Sequence, residues 1–167
     1  MRVLLIVVAA LSTACAAATP QPFPRSGSVP RPRAAQPATP STGVTSSGYE
    51  VSGTALQLRG APYRNGGADP AGFDCSGFVW YVFAQHGLAV PRTVLEQFQA
   101  GQTIDTSDLQ PGDLVFFSTT SPGASHVGIA IGGDSFVHAP SSSGVVRVER
   151  IGAPYWASRF IGARRIL

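Results

Sequence analysis

The sequence predicts an α+β domain, with helices first and an antiparallel sheet of five to six strands after them. Three observations predict it. Between residues 51 and 100, apolar residues recur at helical spacing and capping residues flank the segments. After Pro111-Gly112 the pattern changes to short β-branched and aromatic runs. Gly, Ser, Pro or Asp separate those runs, so a block of strands follows a block of helices.

The elements follow in chain order. Val51, Ala55, Leu56 and Leu58 predict a short helix that ends at Gly60-Ala61-Pro62, and residues 63–73 form a Gly-rich loop. Residues 75–86 are the central helix. Phe78, Val79, Val82 and Phe83 make its apolar stripe, Asp74 its N-cap and Gly87 its C′ residue. Thr93-Val-Leu-Glu96 is a capping box that opens a third helix, to about Ala100. Strands are expected at 114–118, 126–132, 135–139, 145–150 and 160–166. In the second, Val127, Ile129 and Ile131 point one way, and His126, Gly128 and Ala130 the other. The small residues on the histidine face are expected to let a helix approach closely.

The N-terminal third differs in kind. Arg2 precedes an apolar run from Val3 to Leu11, too short for a stop-transfer helix, and small residues follow it. Residues 1–15 therefore read as a secretory signal. Leu11-Ser-Thr-Ala-Cys15 resembles a bacterial lipobox, in which Cys15 would be lipidated, although the bulky residue stands four before the Cys and not three. Ordinary A-x-A cleavage sites are the alternative. The expected location is the cell envelope, as an outer-membrane lipoprotein facing the periplasm; soluble periplasmic or secreted protein is the alternative. Residues 16–47 read as a disordered linker: seven of the fourteen prolines lie between Pro20 and Pro40, and little apolar surface is available to offset ordering entropy. The domain proper is 48–167.

Charge excludes one class of partner. The chain has net charge +3, but from residue 48 onward 8 Arg face 9 Asp plus Glu. The basic excess belongs to the N-terminal third, and no basic face for nucleic acid is implied.

The chemistry centres on few residues. The two cysteines are Cys15 and Cys75, which leaves Cys75 unpaired in an exported domain. Its place at the first turn of a helix favours thiolate and offers amides to an oxyanion. A buried inert Cys is the plain alternative. Of three histidines, His86 ends the helix, whereas His126 and His138 lie on adjacent strands. If they share a face, His138 can bond one ring nitrogen of His126 and leave the other for the thiol. Pairing parity then requires an odd number of unpaired residues near Gly132-Gly133-Asp134, unless a bulge intervenes. Asp134 and Glu149 have no ligand spacing to the histidines, so no metal and no other cofactor is expected.

Four motifs stand in order: Asp74-Cys-Ser-Gly-Phe-Val79, Pro111-Gly-Asp-Leu-Val115, Ser125-His-Val-Gly-Ile-Ala130 and Phe136-Val-His-Ala139. Together they resemble the NlpC-type family of bacterial cell-wall cysteine peptidases, across residues 49–167. The resemblance implies a papain-like fold, with Cys75 as nucleophile, His126 as base and His138 as the residue orienting it. It also implies Tyr63 beside the thiol, and Asp74 and Ser76 at the substrate's amino terminus. Arg92 matches a Pro-Arg-Thr motif whose role is open, an internal ion pair included. The implied substrate is the γ-D-glutamyl bond to diaminopimelate or lysine in peptidoglycan stem peptides. A monomer acting on those peptides is expected, with the membrane as partner through Cys15. An amidase or acyltransferase on this architecture and a non-catalytic wall-binding module are the alternatives.

Overall fold

The structure is a computed structural model that describes residues 44–167, with side chains from Gly48 onward. The signal segment, Cys15 and the linker up to residue 43 lie outside the described residues. The first helix, α1 (Val44–Gln57), begins earlier than the expected residue 51, within the last residues assigned to the linker.

The predicted caps account for the next two helices. In α2 (Cys75–Ala84) the Asp74 carboxylate accepts from the Gly77 amide, 2.6 Å away. Gly87, at φ 70°, takes the left-handed position that follows the helix. In α3 (Val94–Gln99) Thr93 and Glu96 form the reciprocal capping box. The expected loop 63–73 contains a small hairpin, β1 (Ala68–Asp69) and β2 (Gly72–Phe73).

Six strands form the main sheet: β3 (Gln102–Ile104), β4 (Leu114–Phe117), β5 (His126–Gly132), β6 (Ser135–His138), β7 (Arg147–Arg150) and β8 (Phe160–Arg165). Their order is β3-β8-β4-β5-β6-β7, with every neighbouring pair antiparallel. Five of these match the expected runs. β3 does not appear among them because its residues are Gln, Thr and a single Ile. A one-turn helix, α4 (Pro154–Ala157), also lies between expected strands.

Both faces of the sheet are buried. On one, Phe78, Val79, Val82 and Phe83 of α2 share a core with Val51 and Ala55 of α1, Leu114, Phe116, Val127, Ile129 and Val137. Each is fully buried, and each Val, Leu, Ile or Phe among them contributes about 1.5–3 kcal/mol on transfer from water. On the other, Val115, Phe117, Ala130, Phe136 and Ala163 pack with Trp156 of α4. This corrects one expectation: α2 lies on the Val127/Ile129 face, not the histidine face. The small residue at 128 serves β6 instead. A Cβ there would sit 2.5 Å from the Phe136 ring and 3.2 Å from the His138 Cβ.

One buried ion pair fastens the end of the chain. Asp113, 1% exposed, accepts 2.7 Å hydrogen bonds from both Nε and Nη2 of Arg165, and one from the Gln110 amide at 2.8 Å. This gives the Asp of the Pro-Gly-Asp motif a structural use, since a desolvated carboxylate needs every lone pair engaged.

Candidate active site

Cys75 opens α2, and the turn that carries it is held by polar contacts. The Asp74 amide donates to the Gly67 carbonyl at 3.0 Å. Gly77 is required one turn on, because a Cβ there would collide with that same carbonyl oxygen. Arg92 reaches in from the segment before α3. Its Nη2 bonds Asp74 Oδ2 at 2.7 Å and the Gly67 carbonyl at 3.2 Å, and its Nη1 bonds Asp74 Oδ1 at 3.0 Å and Ser76 Oγ at 2.9 Å. Gln97 of α3 adds a bond to the Ser76 carbonyl at 3.1 Å. Asp74 and Ser76 thus have their oxygens engaged by Arg92, and neither borders the cleft onto which Cys75 opens.

The cleft has a volume of about 180 Å³. Cys75 and Tyr63 wall one side, His126 and Trp156 another. Hydroxyl-bearing loops supply the rest: Thr119, Thr120 and Ser125 before β5, Ser141 and Ser142 after β6. No Asp, Glu, Lys or Arg among the described residues lines it. Tyr63 is half-buried and held by its amide on the Gly144 carbonyl at 2.7 Å. Burial raises its phenol above the ordinary value, and the charges of Cys75 and Asp74 push the same way.

The two histidines meet. His126 Nε2 and His138 Nδ1 are 2.6 Å apart, one donating and the other accepting. They share a face by a route that parity alone leaves open. Ile129 pairs with Val137 and Ala130 with Phe136, but Gly132 pairs with Ser135. The turn therefore holds two residues, Gly133 and Asp134, the case expected to separate the rings. A bulge at Ile131 restores the parity. Gly132 and Gly133, at φ 112° and 58°, supply the backbone conformations that this corner needs.

Aromatic packing holds the pair. The Trp156 ring stacks on His126 at 5.5 Å and 27°, and meets His138 edge-on at 4.9 Å and 89°. His126 is 8% exposed and His138 fully buried. Burial lowers both imidazoles well below the ordinary range, His126 to about 4, so both rest neutral at pH 7. For His138 the neighbouring His126 and Arg147 add to the effect. Nε2 of His138 has no partner among the described residues. Trp156 went unread in the sequence. Its signal was one of two tryptophans standing after a Pro at a helix start.

The thiol departs from expectation. Burial raises Cys75 above its ordinary value and the Asp74 charge adds to this, while the amides of Val127, Ser76 and Cys75 itself pull it down less strongly. Cys75 and His126 border one cleft, burial favouring the neutral form of each. His86 behaves as a helix-end residue, 2.9 Å from Thr54 Oγ1 of α1.

Residues 60–165 match the NlpC/P60 family. The chain belongs to that family. The murein DD-endopeptidase MepS/murein LD-carboxypeptidase of Escherichia coli K12 is 47% identical over 110 residues, 65% of this chain and 57% of that protein. The gamma-DL-glutamyl hydrolase of Bacillus subtilis is 39% identical over 118 residues, 70% of this chain and 28% of that protein. The matched region is thus less than two thirds of either relative's length. Among solved structures, an NlpC/P60 family protein from Bacillus cereus superposes with a TM-score of 0.68 at 33% identity, covering 72% of this chain and 40% of that one. The expected papain-like α+β fold holds, and the family domain occupies the segment where the four motifs stand.

Proposed function

We propose that this chain is a peptidoglycan endopeptidase that cleaves stem-peptide bonds with a thiol. The observation that carries the reading is that Cys75 at a capped helix N-terminus and His126, bonded to His138 behind it, border one cleft. Cys75 is the nucleophile, His126 the base, and His138 fixes the ring of His126 through Nε2, leaving Nδ1 for the reaction. Because the site rests neutral, attack and deprotonation are coupled: the sulfur bonds to the carbonyl carbon as its proton passes to His126. Amides of the first turn of α2 stabilise the oxyanion. The imidazolium then protonates the departing amine, and water, deprotonated by His126, hydrolyses the thioester.

The γ-D-glutamyl bond implied by the motifs is supported by the likeness to a gamma-DL-glutamyl hydrolase. The higher identity to a DD-endopeptidase favours DD cleavage as a second reading. Mass spectrometry of fragments from purified wall separates the two, and free glycan chains would point to an amidase. Cys75→Ala is expected to lower fragment release about a thousandfold or more. Release at the wild-type rate would overturn the thiol mechanism. A wild-type protein that binds wall and never cuts it would favour the binding-module reading.

A further inference from the structure

We propose that Arg92 is a positioning residue of the thiol site: by clamping Asp74 in a two-point ion pair it offsets part of a carboxylate charge beside Cys75 and fixes the turn that presents the sulfur. The inference rests on Cys75 being the nucleophile. It gives a use to a motif that the fold alone does not explain.

The geometry carries it. Asp74 must stand next to the thiol, because its side chain caps α2. A cap could be neutral, yet this one is an anion adjacent to a group that must itself become an anion. Arg92 meets that anion in a fork at 2.7 and 3.0 Å, and the same guanidinium ties Ser76 Oγ and the Gly67 carbonyl. Two segments and the first turn of the helix are thereby joined through one side chain. The Asp74 side chain is 15% exposed, so water screens the pair little at that end. The other titratable groups facing Cys75 are Tyr63 from the preceding loop, His126 from β5 with His138 behind it, and Tyr155 across the cleft. Phenols and neutral imidazoles cannot cancel the Asp74 charge, which leaves Arg92 as the cation in contact with it.

The test reads the thiol directly, by its rate of alkylation with iodoacetamide across pH in the full-length protein. Arg92→Gln is expected to move the midpoint up by about one unit and slow alkylation near neutral pH about tenfold. Asp74→Asn keeps a good cap and leaves the guanidinium uncompensated, so its midpoint is expected to move down. The double variant is expected to return close to wild type, and Arg92→Lys to retain the wild-type midpoint. Opposite shifts from the two single variants support the proposal. Shifts in the same direction, or none, overturn it, because a merely structural clamp would affect both alike. Should Arg92→Gln fail to fold, as judged by thermal unfolding, the downward shift in Asp74→Asn and the retained midpoint in Arg92→Lys decide the matter. Alkylation needs no wall substrate, so failure of the peptidase reading would appear separately, as intact wall.

Discussion

The two sides of the cleft are built by opposite means. The thiol side is ionic and hydrogen-bonded: a carboxylate cap, a guanidinium fork and a carboxamide hold the first turn of α2. The histidine side is aromatic: Trp156, Phe117 and Phe136 surround two imidazoles that bond to each other, with Arg147 on the strand beside His138. The difference teaches how each reactive group is prepared. On the first side burial raises the cost of ionisation and a neighbouring charge adds to it. On the second, removal of water sets it. Burial favours the neutral form of both groups, holding the Cys75 thiol above its ordinary value and the His126 imidazole below it.

The aromatic side should break first. Trp156→Ala removes the ring stacked on His126 and is expected to cost about 3–5 kcal/mol in urea unfolding. The same variant should let water reach His126 and raise its titration midpoint by NMR toward the ordinary value near 6.5. A stable variant with an unmoved midpoint would show that Trp156 does not keep the pair dry.

Acid should separate the sides next. Because His126 is depressed to about 4 in the fold, the unfolded chain binds more protons between there and about 6.5. The stabilisation is complete above that window and is lost as pH falls through it. Unfolding free energies measured from pH 8 to pH 4 should decline chiefly below 6.5, and His126→Phe should make that decline shallower while the share of buried His138 remains.

Gly128→Ala tests the space behind the rings. The added methyl meets the Phe136 ring at 2.5 Å and is expected to cost about 1–3 kcal/mol in urea unfolding. An unchanged midpoint would mean that β6 shifts freely. The smallest effect should come from the ionic side's outer support: Thr93→Ala removes the capping box of α3, at about 1 kcal/mol by the same measurement.

What could be read in the sequence was local. Asp74, Gly87 and Thr93 announce helix ends through contacts a few residues away, and α2, α3 and five strands followed from such signals. The side on which α2 packs was not legible, because both faces of β5 are buried and residue size misled. Gly128 looked like room for a helix and is room for Phe136 and His138. The bulge at Ile131 was legible only as an exception to a parity rule, since its cause is pairing between strands. Trp156 was missed because a four-residue helix leaves no periodicity to detect. Cys75, His126 and His138 stood out as a lone thiol at a helix start and two histidines on adjacent strands, and the fold joins the two rings and sets Cys75 and His126 on one cleft. Arg92 was noticed, but its partners lie 16, 18 and 25 residues away in sequence, and it took the fold to bring them together.

The corner at Ile131 also constrains how the chain can vary in length. Losing one residue there would turn His138 to the side that Val137 now occupies and divorce the two rings without altering either. Without a further bulge, insertions and deletions in this hairpin would keep the two rings on one face only in even steps, so the residue count of the corner governs their contact as much as the rings themselves.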